Sequence, residues 1–417
     1  MLRRARLLAY PTFPWHLRAL NRIDRRIRSW GLGVFPFRPA SLLEISARQA
    51  KLDDFAEDAA FREALEILCR SAEEDARLTL VGRRVVREHI VRALVNRLRT
   101  IEVQKREPAI AETALVPPLI VIGLHRSGTT LLHHLLAMAA EARPLRFWEL
   151  MEPIPGPGPD LRRETLQSTL AGIKQFDAGL DAKHHVDADN PEECMLLLDG
   201  TLASLSFWAS APVYGYVEWL RRQDHRAPYR VYRWLLQSFQ RPEPGRRLTL
   251  KAPAHTAALP ALLEAIPDAL IVQTHRDPRE VVPSMNSLLF SLHALVTDQV
   301  DLRRMAEANM AQFEYMIAQS EAARARAPRA VLDVRYDELI ADPVACVRRI
   351  HGHFELAFDE AHADRMRQFI ADRPKNRFGR HLYAAEDFGT SEAAIRERFA
   401  GYHRRYLAER DDRPPAP

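Results

Sequence analysis

The sequence predicts an α/β protein, a P-loop-like three-layer fold with a central parallel sheet, carrying a helical N-terminal extension. Three observations predict it. Leu119-Ile120-Val121-Ile122 is a continuous apolar run bounded by turn residues, the pattern of a strand buried on both faces. A glycine-containing turn follows, and then a helical stretch over 129–140. Similar apolar runs recur at 248–250, 269–272 and 330–334, each ahead of a helical stretch. Strand and helix in alternation argue for an open sheet that collects ligands at the carboxyl ends of its strands.

The extension and its neighbours follow from length and texture. At 417 residues and 47% hydrophobic, the chain exceeds one small domain, so a compact core of about 250–300 residues with something appended is expected. Residues 1–112 form the predicted helical extension. From Leu42 onward this part is rich in Ala, Leu, Glu and Arg, with Phe61, Leu65, Leu68 and Cys69 at helical spacing. Two or three helices are expected there, one of them starting at the Asp53-Asp54-Phe55 turn. Residues 113–410 form the α/β domain. Within it, about 150–245 carries prolines, aromatics and helix-like segments without a clear strand, as a mostly helical insertion on the substrate side would.

Composition excludes several functions. Cys69, Cys194 and Cys346 lie far apart with no C-x-x-C pair or zinc-ligand spacing, which argues against a disulfide scaffold or a structural metal. No apolar run approaches the roughly 18–20 residues of a membrane span, and Pro11 cuts off Leu7-Leu8-Ala9-Tyr10 before it resembles a signal-peptide core. A soluble, cytoplasmic protein is expected. The net charge of +5 is small beside 60 basic and 55 acidic residues, so no nucleic-acid partner is expected. Much of the excess is local. Residues 1–30 hold eight arginines against Asp24, interleaved with Phe13, Trp15, Leu20, Ile23, Ile27 and Trp30. Two fates stand for such a basic amphipathic segment: peripheral contact with anionic lipid or a partner, or a helix lying on the protein's own surface.

The sharpest motif is Gly123-Leu124-His125-Arg126-Ser127-Gly128-Thr129-Thr130, directly after the first strand. Backbone N–H groups in such a turn, with a helix N-terminus behind them, cradle an anion. Both glycines fit G-x-x-x-x-G-K-[ST], yet Thr129 occupies the lysine position. An NTPase uses that lysine on the β/γ-phosphates and the next hydroxyl on magnesium. Here Arg126 is the nearby cation, which points to a shorter, less charged anion held by Arg126, Ser127, Gly128, Thr129 and Thr130 with no metal. A second cluster lies at the end of the 269–274 strand, where Arg276 is followed by Ser284 eight residues on. An arginine at a strand end and a hydroxyl two turns into the next helix grip one more phosphate. The alternative is that Arg276 pairs with Asp277 or Glu280 and Ser284 caps or faces solvent.

These residues resemble the cofactor-binding signatures of the sulfotransferases that use 3′-phosphoadenylyl sulfate (PAPS). Arg126-Ser127-Gly128-Thr129-Thr130 is similar to that family's 5′-phosphosulfate loop, and Arg276 with Ser284 to its 3′-phosphate pair. Lys251 matches the lysine after the family's central strand. The resemblance spans about 117–383, and the whole chain resembles a bacterial branch related to the tyrosylprotein and carbohydrate sulfotransferases. It implies in-line sulfuryl transfer from PAPS to a small-molecule or macromolecular hydroxyl acceptor, with no metal required. Arg377-Phe378-Gly379-Arg380-His381 resembles the basic segment that closes over the 3′-phosphate, bringing in Arg377, Gly379 and Arg380.

Such chemistry needs alignment, a cation near the departing oxygen and a base for the acceptor proton. Lys251, one of six lysines in the chain, is assigned to the leaving group, with Arg126 sharing the charge. Two residues stand as the base. Glu149, in Phe147-Trp148-Glu149-Leu150, resembles the catalytic glutamate of the tyrosylprotein branch, and neighbouring aromatics disfavour its charged form. His255 lies four residues beyond Lys251, whereas the cytosolic branch has its histidine two beyond, where Pro253 stands here. The polar run from His184 to Cys194 reads as a helix start, with Asp189 or Asn190 as N-cap and Glu192 and Glu193 in the first turn. Phe207, Trp208, Tyr214, Tyr216 and Trp219 read as core or as the lining of an apolar acceptor pocket. Two other functions remain open: a P-loop nucleotide kinase or phosphotransferase, and a non-catalytic nucleotide-binding scaffold.

Overall fold

The computed structural model describes residues 8, 10–11, 15–28, 34–56, 59–176, 187–327, 330–372 and 384–408. Its centre is a five-stranded, all-parallel sheet in the order β2-β3-β1-β4-β5. The strands are β1 (Leu119–Gly123), β2 (Ala142–Pro144), β3 (Arg247–Lys251), β4 (Leu270–His275) and β5 (Val331–Arg335). All five residues of β1 are buried, as its unbroken apolar run requires of a strand covered on both faces.

Alternation along the strands sorts the core into two layers. Ile120 and Ile122 join Leu248, Leu250 and Ile271 under Tyr232, Leu236 and Leu262. Leu119 and Val121 face the other way with Val272 and Val334, under Leu132, Leu135, Val347 and Ile350. Register then aligns the strand tips: Val121 lies beside Lys251, and Gly123 beside Thr274. The predicted three-layer α/β fold is the observed one.

Ahead of the sheet stand α1 (Trp15–Arg28), α2 (Pro39–Ala50), α3 (Ala59–Glu74) and α4 (Leu80–Arg106). Thr79 caps α4 by accepting from the Gly82 N–H at 3.0 Å. Gly82 itself is needed because a Cβ there would collide with the Val296 carbonyl. Phe61, Leu65, Ile90 and Leu94 of α3 and α4 share one continuous core with Phe207, Trp208, Leu289 and Phe313. Tyr214, Tyr216 and Trp219 pack in the same core. Between β1 and β2 comes α5 (Thr129–Leu136), opening at the glycine turn; beyond β2 come α6 (Phe147–Met151) and α7 (Arg162–Phe176), and further helices carry the chain to β3 with no strand between β2 and β3 among the described residues.

Candidate active site

The loop between β1 and α5 is fastened from two sides. Gly123 has φ +138° and Gly128, the N-cap of α5, has φ +92°. Side chains are strained in this region, and the space is closed as well: a Cβ on Gly128 would sit 2.9 Å from the Tyr336 ring. Ser127 is fully buried. Its hydroxyl meets the Leu124 carbonyl at 2.5 Å and Thr274 Oγ1 at 2.6 Å, so the side chain ties the loop to β4, while its N–H donates to the same Leu124 carbonyl at 3.3 Å. Thr256 completes the fastening, accepting from the Gly123 N–H at 2.9 Å. Thr129 is buried and Thr130 exposed at the start of α5.

The two predicted anion pockets meet. Arg126, at φ +69°, donates from Nε to Ser284 Oγ at 3.1 Å, and Arg276 Nη1 donates to the Arg126 carbonyl at 3.1 Å. Ser284 is buried in the Pro278–His293 helix. Arg276 also pairs with Glu280 and lies over the Tyr336 ring at 4.0 Å. The pairing with Glu280 raised above therefore coexists with the convergence on Arg126. Arg377, Gly379 and Arg380 lie outside the described residues.

Lys251, at the end of β3, is fully buried, and its ammonium lies 3.0 Å from Glu193 Oε1 and 3.4 Å from Glu192 Oε1. Burial opposes its charge, but the two carboxylates outweigh that and its pKa is raised. Glu192 and Glu193 thus correct the sequence reading. They do not fill the first turn of a helix: Glu193 is itself the N-cap of a 3₁₀ turn, Cys194–Thr201, and makes no side-chain cap. Asp189 is likewise no cap, pairing instead with Arg163. His125 of the loop lies in the same charged neighbourhood. Its ring stacks on Phe313 at 6.2 Å, and burial lowers its pKa beside the charges of Glu193, Lys251 and Arg126.

The two residues read as bases are held differently. Both oxygens of Glu149 accept from Arg143, at 2.6 and 3.0 Å, and Oε2 also accepts from the Arg146 N–H at 2.8 Å. His255 is fully buried, with Nδ1 2.6 Å from the Tyr229 hydroxyl and Nε2 3.2 Å from both the Tyr232 hydroxyl and Cys194 Sγ. Burial pushes its pKa down to about 3 and the Cys194 thiol up to about 12. The ring is therefore neutral near neutral pH and boxed by two tyrosines.

The site as a whole is a glycine turn ahead of a helix, a second basic cluster touching it, and a buried ammonium one strand away with its own carboxylates. The model described as the sulfotransferase family matches residues 117–360. The omega-hydroxy-beta-dihydromenaquinone-9 sulfotransferases Stf3 of Mycobacterium bovis and Mycobacterium tuberculosis are each 28% identical over 63% of this chain and 69% of their own. The crystal structure of sulfotransferase STF1 from Mycobacterium tuberculosis is 32% identical, covering 87% of this chain and 98% of that one at a TM-score of 0.77. That of STF9 from Mycobacterium avium is 26% identical, covering 89% and 97% at 0.79. With the match spanning more than half of the chain, this protein belongs to the sulfotransferase family.

Proposed function

We propose that the cleft at the tips of β1, β3 and β4 moves a sulfuryl group from PAPS to the hydroxyl of an apolar acceptor. Membership of the family sets aside the nucleotide-kinase reading. The observation that carries the donor assignment is the contact of Arg126 with Ser284: the loop and the second pocket stand within one hydrogen bond of each other, as a nucleotide anionic on both its 5′ and 3′ sides requires. In this reading the loop amides and Arg126 take the 5′ side, and Arg276 with Ser284 the 3′ phosphate. The donor supplies a sulfuryl group already activated by its phosphate leaving group. Lys251 stabilises the oxygen that departs. Glu193, already beside that ammonium, takes the acceptor proton; we favour it over Glu149, whose oxygens are engaged by Arg143, and over His255, whose ring nitrogens are engaged by Tyr229, Tyr232 and Cys194.

Two observations support an apolar acceptor. The Stf3 relatives are named for a hydroxylated dihydromenaquinone. Met195, two residues past Glu193, lines a small, mostly apolar pocket with Leu198, Leu205, Leu220 and Ala254, where Arg221, His225 and Gln312 supply the polar groups. Titration calorimetry without metal tests the donor, with 3′-phosphoadenosine 5′-phosphate expected to bind far more tightly than ATP. Arg276→Ala should weaken that nucleotide much more than its 3′-dephospho form, and an unchanged ratio removes Arg276 from the role. Mass spectrometry of sulfated products from isoprenoid alcohols, phenols and sugars tests the acceptor; turnover confined to sugars would reverse that part.

A further inference from the structure

The helix α1 is mounted with its polar face inward. Asn21 and Asp24 are 5% and 2% exposed, while Trp15, Ile23 and Leu20 are 75%, 55% and 46% exposed. Asn21 accounts for the orientation. Its Oδ1 accepts from the Leu80 N–H at 3.1 Å, satisfying a donor at the start of α4 that the helix cannot satisfy itself. The segment therefore does lie on the protein's own surface, but this leaves its apolar side turned out, the reverse of the usual surface helix.

At 100° per residue Trp15, Ala19, Ile23 and Ile27 line up on successive turns, with Leu20 beside them. Arg22 and Arg26 are exposed on the same helix. Its sequence carries five arginines, Arg18, Arg22, Arg25, Arg26 and Arg28, against one acid, Asp24, and that acid is turned inward. The outward surface is thus an apolar stripe among basic groups with no acid of its own helix among them. An apolar stripe alone would fit a protein partner equally well. A basic setting without acids, and a tryptophan at the end of the stripe, fit the headgroup region of an anionic bilayer.

We propose that α1 docks flat on an anionic lipid surface, with Trp15, Leu20 and Ile23 entering the boundary between headgroups and acyl chains and Arg22 and Arg26 lying at the lipid phosphates. Asn21 and the start of α4 then couple the body of the enzyme to that surface. This goes beyond the sulfotransferase reading and does not depend on it, because the readout is binding and needs no turnover.

Co-sedimentation of the full chain with phosphatidylglycerol vesicles and with neutral phosphatidylcholine vesicles tests it. Binding is expected to the anionic vesicles, to fall with added salt, and to drop about tenfold or more in W15D/I23D. Because that variant changes the packing surface of a short helix, R22Q/R26Q provides an independent arm. It replaces two exposed side chains and should also weaken binding to phosphatidylglycerol, with the affinity for 3′-phosphoadenosine 5′-phosphate unchanged in both variants. Equal binding to neutral and anionic vesicles, or no loss in R22Q/R26Q, overturns the proposal. So does sedimentation equilibrium that shows a dimer converted to monomer by W15D/I23D, since the stripe would then be covered by a second copy.

Discussion

Lys251 and its two glutamates are a mutually dependent unit. A buried ammonium costs several kcal/mol in lost hydration, and two close carboxylates offset it. Replacing Lys251 by Met should therefore lower turnover by about 10²–10³ and also destabilise the fold by about 3–5 kcal/mol, because the carboxylates lose their counter-charge. Adding Glu193→Gln to that variant should return stability in urea denaturation while turnover stays low; stability unchanged by the second substitution would separate the two residues. The position of Lys251 at a strand end was legible in the sequence, but its partners were not. Acids ahead of an apolar run look the same whether they cap a helix or hold a cation, and only a contact across 58 residues distinguishes them.

The buried histidines set a pH limit. His255 and His133 have pKa values pushed down to about 3, and His293 to about 4, each chiefly by burial. In the unfolded chain they titrate near 6.5. Below that pH the unfolded state takes up protons that the folded state refuses, so stability is full above about pH 6.5 and lost as pH falls toward 4, by roughly 1.4 kcal/mol per pH unit for each ring. Urea titrations across that range check the slope. His255→Gln should flatten it by one ring's share, and an unchanged slope would mean that His255 is not held neutral.

At the scale of elements, the loop between β1 and α5 works because its side chains are spent on holding it still. Ser127→Ala removes two buried hydrogen bonds and should cost about 1–3 kcal/mol of stability. Gly128→Ala asks for a strained conformation against Tyr336 and should weaken nucleotide binding with a smaller effect on folding, as parallel calorimetry and denaturation will show. The glycines, Arg126 and the strand before them were all readable from spacing. The inward turn of the Ser127 hydroxyl was not, since its partner Thr274 comes from another strand. Nor was β2: three residues, Ala142, Arg143 and Pro144, carry no apolar run, and pairing with β3 alone makes them a strand.

For the whole molecule, the N-terminal helices and the α/β part share a core. Deleting residues 1–112 should leave Phe207, Trp208, Leu289 and Phe313 partly uncovered and yield an insoluble or unfolded product; a soluble fragment with full nucleotide affinity would show that the remainder stands alone. Phe61→Ala should cost about 3–5 kcal/mol. Helical periodicity announced the apolar face of α3 but not what it covers, because amphipathic spacing is the same whether a helix packs on its own domain or on a neighbouring one.

The guanidinium of Arg126 straddles both basic pockets through the Ser284 hydroxyl, and this has a consequence for ligand fragments. An ion carrying one anionic group must compete with that hydroxyl for the same donor, whereas a molecule with groups at both ends recruits the shared cation once and loses its translational freedom once. Inorganic phosphate and inorganic sulfate, supplied together, should therefore fall well short of the tethered bisphosphate in affinity, a chelate advantage that originates in a single side chain.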